Sequence, residues 1–196
     1  MTDGPSKKEL MKTHPNVDPF LLKKWERIFN AFFDRNAGGD VDWGDFYIVV
    51  RHVRDIYGAE SNQMSYAKSS MKALWEGLLG VADKNKDKII SLEEWVDLLS
   101  KSNVQNEPKW LFDYVTFMFK LFDVSEDGKL DLAEYTDGML AYGFDTEEAH
   151  EGFRRFANGK PSVDFPQFHE LWKQYFYSTD KKRPGNALFG VFPGLP

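Results

Sequence analysis

One twelve-residue stretch decides the fold of this 196-residue chain: Asp123-Val124-Ser125-Glu126-Asp127-Gly128-Lys129-Leu130-Asp131-Leu132-Ala133-Glu134. Oxygen-bearing side chains stand at positions 1, 3, 5, 9 and 12 of this stretch, in Asp123, Ser125, Asp127, Asp131 and Glu134. Gly128 at position 6 suits a turn with positive φ, and Lys129 at position 7 offers its carbonyl oxygen. Calcium takes roughly six to eight oxygen ligands, commonly completed by a bidentate carboxylate, so this spacing predicts a calcium loop.

A second stretch of the same form begins at Asp83 and ends at Glu94. Its candidate ligands are Asp83, Asn85, Asp87, the Ile89 carbonyl, Ser91 and Glu94. Lys88 stands at position 6, where glycine is usual. A left-handed conformation costs a non-glycine residue about 1 to 2 kcal/mol, which weakens binding about tenfold. We therefore predict a second cation site with reduced affinity.

A third stretch, from Asp34 to Asp45, departs further from this pattern. Its candidate ligands are Asp34, Asn36, the Asp40 carbonyl, Asp42 and Asp45. Gly38 at position 5 has no side chain, and Asp45 at position 12 is one methylene shorter than glutamate. Both changes favour water and monodentate carboxylate ligands, which magnesium accepts. The sequence predicts a divalent-cation site here for calcium or magnesium, and two or three calcium ions in all.

A fourth stretch is expected to bind no metal. When Val163 is aligned with Val41, Ile90 and Leu130, the loop runs over residues 156–167, with phenylalanine at position 1 and Pro161 at position 6. Its predicted role is structural. Paired loops exchange backbone hydrogen bonds near position 8, so Val163 should pair with Leu130, and Ile90 with Val41.

Apolar residues recur at helical spacing on both sides of every loop, which predicts an all-α protein. The first helix is expected from Asp18 to Phe33, and the second from Asp45 to about Gly58. The predicted architecture is four helix-loop-helix units in two paired lobes that form one compact globule. The predicted divisions are an N-terminal extension (1–16), a first pair (17–102), a second pair (103–178) and a C-terminal tail packed on the globule (179–196). The tail residues expected to pack are Leu188, Phe189, Val191, Phe192 and Leu195.

Composition limits the compartment and the kinds of partner that this chain can have. The chain has no cysteine, which favours a reducing compartment, and 31 acidic against 25 basic side chains give a net charge of −6. An acidic protein is a poor partner for nucleic acid and a good one for small cations. No apolar run reaches the roughly 18 to 20 residues that a membrane helix needs. We expect a cytoplasmic monomer without an integral membrane segment.

The chain resembles the EF-hand proteins that include invertebrate sarcoplasmic calcium-binding proteins, calexcitin and insect juvenile hormone diol kinase. The resemblance covers nearly the whole chain. It rests on the three acidic loops, the segment Trp110 to Phe122, the segment Phe168 to Tyr177, and the tail Pro184 to Gly190, which looks most like calexcitin. It implies a compact two-lobed globule with a fourth loop that binds no metal. It also implies a role as a cytoplasmic calcium buffer or signalling protein.

Three functions stay open at this stage. The first is a calcium buffer or a calcium-dependent switch with some protein target, favoured by a core rich in stiff aromatic side chains and poor in methionine. The second is a diol kinase-like phosphotransferase, for which Gly159-Lys160-Pro161-Ser162 gives little support. The third is a carrier of an apolar small molecule, with His169, Trp172 and Tyr175 as candidate cavity residues. No catalytic residue is predicted.

Overall fold

The computed structural model describes residues 7–191, with side chains from residue 9 onward. Its helices and strands follow one another in this order: α1 (Lys7–Thr13), α2 (Pro19–Ile28), a π-helical turn (Phe29–Phe33), β1 (Asp40–Val41), α3 (Trp43–Tyr57), α4 (Asn62–Ala82), β2 (Ile90–Ser91), α5 (Leu92–Ser100), α6 (Lys109–Phe122), β3 (Lys129–Asp131), α7 (Leu132–Ala141), α8 (Thr146–Ala157), β4 (Ser162–Asp164), α9 (Phe165–Tyr177) and a 3-10 helix (Pro184–Ala187). The helical fold and its four helix-loop-helix units confirm the predicted class.

The helix that leaves each loop begins in the same way. The residue at loop position 9 caps the helix, since its side chain accepts a hydrogen bond from a backbone amide of the first turn. In return, the side chain at position 12 accepts a hydrogen bond from the backbone amide of position 9. These reciprocal pairs are Asp42 with Asp45, Ser91 with Glu94, Asp131 with Glu134, and Asp164 with Gln167. Residues with metal-ligand spacing therefore also start the helices, and the fourth loop keeps this second role.

The short strands join the loops in pairs. Strand β1 pairs with β2 in antiparallel fashion, with Val41 opposite Ile90. Strand β3 pairs with β4, with Leu130 opposite Val163. Both predicted pairings are confirmed, including the register. The four position-8 side chains are buried, which explains why apolar residues occupy this position in every loop.

Two helices differ from the prediction. The helix predicted from Asp18 to Phe33 is α2, which begins after its N-cap Asp18 but ends at Ile28. The chain then continues as a π-helical turn, in which the Asp34 amide donates to the Phe29 carbonyl over 2.8 Å. The wider turn places Phe32 and Phe33 together in the core. The helix predicted from Asp45 starts two residues earlier, at Trp43, because Asp42 supplies the cap. It ends before Gly58, which has a φ of +91°.

The core is aromatic and extends through both pairs of units. Phe32, from the first unit, stacks on Tyr142, from the third, with ring centroids 3.9 Å apart. Tyr142 in turn shares a 3.1 Å hydroxyl-to-hydroxyl hydrogen bond with Tyr114. The proposed division between residues 102 and 103 stays a prediction, because buried residues from both sides form a single cluster.

The chain outside the four units also contributes to this core. Leu10 of α1 is fully buried, although the segment before residue 17 was predicted only as an extension. Leu188 and Phe189 of the tail are buried, whereas Phe192 and Leu195 lie outside the described residues. None of the helices within residues 7–191 is long and apolar enough to cross a bilayer.

Candidate metal centre

The third loop brings three of its predicted ligands together. Carboxylate oxygens of Asp123, Asp127 and Glu134 all lie within 4.8 Å of one another. A cavity of about 500 Å³ opens on the same loop, and its walls include the residues at positions 3, 5, 7, 9 and 12, namely Ser125, Asp127, Lys129, Asp131 and Glu134. Five of the six predicted ligands therefore line one space, and the sixth, Asp123, has a carboxylate oxygen within 4.8 Å of those of Asp127 and Glu134.

Backbone amides hold these carboxylates in place. Asp123 accepts hydrogen bonds from the amides of Asp127 and Gly128, over 3.1 and 3.0 Å. Glu134 accepts from the Ser125 amide over 2.9 Å, so the two ends of the loop are tied across its centre. Gly128 has a φ of +78°, in agreement with the turn predicted at position 6. These amide hydrogen bonds thus hold the carboxylate oxygens of Asp123 and Glu134 in position.

The second loop repeats this arrangement, with two non-glycine residues, Lys86 and Lys88, at positive φ. Asp83 accepts from the amides of Lys86 and Lys88, over 2.7 and 3.0 Å. Glu94 accepts from the amides of Lys84 and Ser91, both over 3.0 Å. Lys88 has a φ of +66°, which confirms the left-handed conformation expected there. Of its other predicted ligands, Asn85 and Asp87 are hydrogen-bonded to each other over 2.8 Å, and Ile89 directly precedes β2.

The first loop is the most buried of the three. Asp34 accepts from the amides of Gly38 and Gly39, over 2.8 and 2.9 Å. The Asp45 side chain is 1 % exposed and accepts from the amides of Asn36 and Asp42, both over 2.9 Å. The shorter carboxylate therefore closes the loop as glutamate does in the other two.

Electrostatics in the first loop favour a positive charge. Burial raises the pKa of Asp45, and the charges of Asp42 and Asp34 raise it further against the opposing effect of its two amide hydrogen bonds. Burial also raises the pKa of Asp40, as do Asp42, Asp34 and Asp87 of the neighbouring loop. Carboxylates that repel one another lose that repulsion when a cation binds between them.

The fourth loop has a different chemistry. Asn158 and Gly159 adopt positive φ angles of +51° and +81°, so the chain still turns, but phenylalanine occupies position 1 and Gln167 position 12. Its strand β4 remains paired with β3 beside the third loop. The loop supports its neighbour through backbone hydrogen bonds and supplies no carboxylate at either end.

Among the residues that line the third-loop cavity without having been predicted as ligands, Tyr57 is the one from another helix-loop-helix pair. Tyr57, the last residue of α3, lies in the cavity wall together with Asp127 and Glu134. In the sequence it belongs to an apolar helical stripe and is far from residue 134, so no spacing rule could have related the two. Its position is evident only from the packing of α3 on the third unit.

The donor set suits a hard divalent cation. Carboxylate, hydroxyl and carbonyl oxygens dominate all three acidic loops, and calcium and magnesium prefer such oxygens. Four helix-loop-helix units, joined in pairs by position-8 strands and carrying this donor set, define an EF-hand protein.

Comparison with known proteins gives the family. Calexcitin-1 of Caenorhabditis elegans is 57% identical over 195 residues, which cover 97% of this chain and 96% of that protein. Sarcoplasmic calcium-binding proteins I, III and IV of Branchiostoma lanceolatum are 26% identical over 90% of this chain and their full length. The chain belongs to the calexcitin family of EF-hand calcium-binding proteins.

Solved structures agree with this assignment at the level of the fold. The structure of an amphioxus sarcoplasmic calcium-binding protein superposes with a TM-score of 0.73 at 26% identity, covering 91% of this chain and all of that one. No protein-family model matches the chain.

Proposed function

We propose that this chain binds calcium in two or three loops and acts in the cytoplasm as a calcium buffer or a calcium-dependent signalling switch. The observation that carries the proposal is the convergence of Asp123, Asp127 and Glu134 to within 4.8 Å. Three carboxylates so close repel one another, and a bound divalent cation converts that repulsion into attraction. Three such ions would offset the net charge of −6.

The three loops should differ in affinity and in metal preference. The third loop has every expected ligand and a glycine at position 6, so it should bind calcium most tightly. The second should bind more weakly because Lys88 keeps a strained backbone. The first, with Asp45 and Gly38, should accept magnesium as well as calcium, since magnesium retains several waters and needs fewer carboxylate oxygens.

A calorimetric titration tests this proposal. Calcium is titrated with and without magnesium into the metal-free chain and into three variants, Glu134→Gln, Glu94→Gln and Asp45→Asn. We expect dissociation constants on the order of 10⁻⁸ to 10⁻⁶ M. Each variant should lose one binding event, and magnesium should compete for the event that Asp45→Asn removes. An unchanged number of events in Glu134→Gln would contradict the proposal.

The closed aromatic core favours a buffer, or a switch of narrow specificity, over a promiscuous sensor. Opening a groove between the two pairs would separate Phe32 from Tyr142 and expose both rings to water. Fluorescence of an apolar dye, with and without calcium, distinguishes the two roles. A buffer leaves the fluorescence unchanged, whereas a switch that presents a surface to a protein target raises it. Sedimentation should show a monomer in both states.

The two other functions have less support. In a phosphate-binding loop a strand precedes the glycine-lysine motif, whereas here α8 precedes Gly159 and β4 follows Lys160. For a carrier, the candidate cavity is filled by the chain itself. Phe189 lies 5.4 Å from Trp172 and 4.7 Å from Tyr175 between ring centroids, and His169 is hydrogen-bonded to Glu107 over 2.8 Å.

A further inference from the structure

Tyr57 is placed where it can take part in cation binding at the third loop. Its hydroxyl is buried and has no hydrogen-bond partner among the described residues. The same side chain lines the third-loop cavity beside Asp127, Asp131 and Glu134. A buried hydroxyl is nearly always hydrogen-bonded, so a lone one at the wall of an oxygen-rich site indicates a partner that arrives with the ligand.

The position of Tyr57 is set by helix packing. Helix α3 leaves the first loop and packs along α7, which leaves the third loop. The His52 ring donates from Nδ1 to the Ala141 carbonyl at the end of α7, over 3.0 Å. This contact joins α3 to the end of α7, and α3 ends about one and a half turns later at Tyr57, before Gly58. The first unit thereby supplies one wall of the third unit's site.

The charges around Tyr57 favour a donating hydroxyl. Burial raises the pKa of Tyr57, and the negative charges of Asp137 and Glu134 raise it further. A tyrosine hydroxyl carries its proton at neutral pH, and the Tyr57 side chain lines a cavity rich in carboxylate acceptors. A protonated phenol can donate one hydrogen bond to a carboxylate or to a water molecule.

We propose that the Tyr57 hydroxyl donates a hydrogen bond into the oxygen shell of the cation at the third loop, to the Glu134 carboxylate or to a cation-bound water. Tyr57 is then a positioning residue, which orients a ligand without touching the metal. Such outer contacts commonly strengthen metal binding because they hold the ligand in its binding orientation. The inference rests on calcium binding at the third loop and makes its affinity depend on a helix of the first unit.

The test uses a parent chain in which only the third loop can bind, made with Asp45→Asn and Glu94→Gln. Calcium is titrated into this parent, into Tyr57→Phe and into Tyr177→Phe. Tyr177 ends α9 and is the matched control, because its hydroxyl is also buried but it is not in the wall of the third-loop cavity. We expect Tyr57→Phe to raise the dissociation constant about fivefold, the size of one net hydrogen bond, and Tyr177→Phe to leave it unchanged.

A second measurement separates positioning from general stability. The thermal midpoint of the calcium-free Tyr57→Phe chain should equal that of the parent or exceed it, since the proposed hydrogen bond forms in the oxygen shell of the bound cation. Its midpoint in saturating calcium should be lower than that of the parent. Equal calcium affinity in Tyr57→Phe and Tyr177→Phe would overturn the inference. A parent that binds no calcium would instead refute the proposed function.

Discussion

At the scale of single residues, Lys88 is the most informative departure in the metal loops. It occupies a left-handed conformation, with φ of +66°, that Gly39 and Gly128 occupy at the same position in the other two loops. In this conformation the Cβ of Lys88 crowds the backbone, which costs about 1 to 2 kcal/mol. If the metal-free loop allows Lys88 to leave this conformation, calcium binding must restore it, and the strain reduces the free energy of binding.

Replacing Lys88 should therefore separate strain from charge. Lys88→Gly and Lys88→Ala remove the same positive charge, but only glycine relieves the backbone. In a chain whose first and third loops are disabled by Asp45→Asn and Glu134→Gln, we expect Lys88→Gly to bind calcium about tenfold more tightly than Lys88→Ala. Calorimetry measures both constants, and equal constants would show that the strain is already present without calcium.

Lys24 is a second unusual residue, because it is a fully buried lysine. Its ammonium donates to the carbonyls of Gln174 and Ser178, over 3.2 and 2.7 Å, and to Oδ1 of Asn186 over 3.1 Å. It thus joins α2 to the end of α9 and to the tail. Burial lowers its pKa to about 7, against a smaller opposing effect of Asp18.

This pKa predicts a pH dependence of stability. Between pH 7 and 10.5 the unfolded chain holds a proton on Lys24 that the folded chain releases, so the free energy of unfolding should rise with pH. Lys24→Met lacks this effect. The stability difference between wild type and Lys24→Met should grow in favour of wild type from pH 7 to 9, by at most about 1.4 kcal/mol per pH unit. Urea unfolding at both pH values measures it, and parallel behaviour would contradict the lowered pKa.

The loop residues could be predicted from sequence because their partners are at most eleven positions away. Spacing alone indicated Asp123 and Glu134, and it indicated the strain at Lys88. Lys24 and Tyr57 escaped prediction because their surroundings come from helices that are distant in the chain. In the sequence both are ordinary members of amphipathic helices, so helical spacing assigns them no special role.

At the scale of elements, the third unit depends on one close approach between its helices. Gly138 of α7 is buried against Phe122, the last residue of α6, and a Cβ at this position would lie 2.2 Å from the ring. Phe122 is itself fully buried and directly precedes Asp123. A displacement of this ring would be passed to the first ligand of the third loop.

Gly138→Ala should therefore destabilise the protein by about 1 to 3 kcal/mol, because the core must move to admit a methyl group. Gly80→Ala is the matched control. Gly80 lies in α4 with no atom near its missing Cβ, so alanine should stabilise this helix by about 0.5 to 1 kcal/mol. The midpoints of urea denaturation in calcium should shift in opposite directions. A shift of the same sign would mean that the α6–α7 contact is more tolerant than the geometry indicates.

Most helices were predictable because one face of each is apolar over several turns. The π-helical turn at Phe29–Phe33 was not, since a change from one hydrogen-bonding period to another leaves the apolar spacing almost intact. Helix α1 was missed for another reason. It is seven residues long and buries Leu10 but leaves most of its other residues exposed, which is too weak a pattern to recognise.

At the scale of the whole molecule, the tail completes the core. Phe189 contacts the rings of Phe32, Trp172, Tyr175 and Phe176, from two units that are far apart in sequence. Backbone carbonyls on either side are held as well. Tyr135 donates to Leu188 over 2.7 Å, and Arg27 donates to Phe189 over 3.3 Å. The apolar composition of the tail indicated packing, but only the structure shows which rings it meets.

Phe189→Ala should cost about 3 to 5 kcal/mol, as expected for a large aromatic side chain removed from a close-packed interior. Phe112→Ala is the control, because Phe112 is 41% exposed and should cost far less. Chemical unfolding measures both losses. Apolar dye should bind Phe189→Ala more strongly than wild type, and equal binding would indicate that the neighbouring rings collapse into the space.

The position of Phe189 in the chain has a consequence for biosynthesis. Synthesis proceeds from the N-terminus, so the π-helical turn and α9, which supply the rings around Phe189, are made before it is. Until Phe189 packs, the rings of Phe32, Trp172 and Tyr175 lack the side chain that covers them. During that interval these rings form an apolar surface that chaperones can recognise. The surface is covered when Phe189 packs against them.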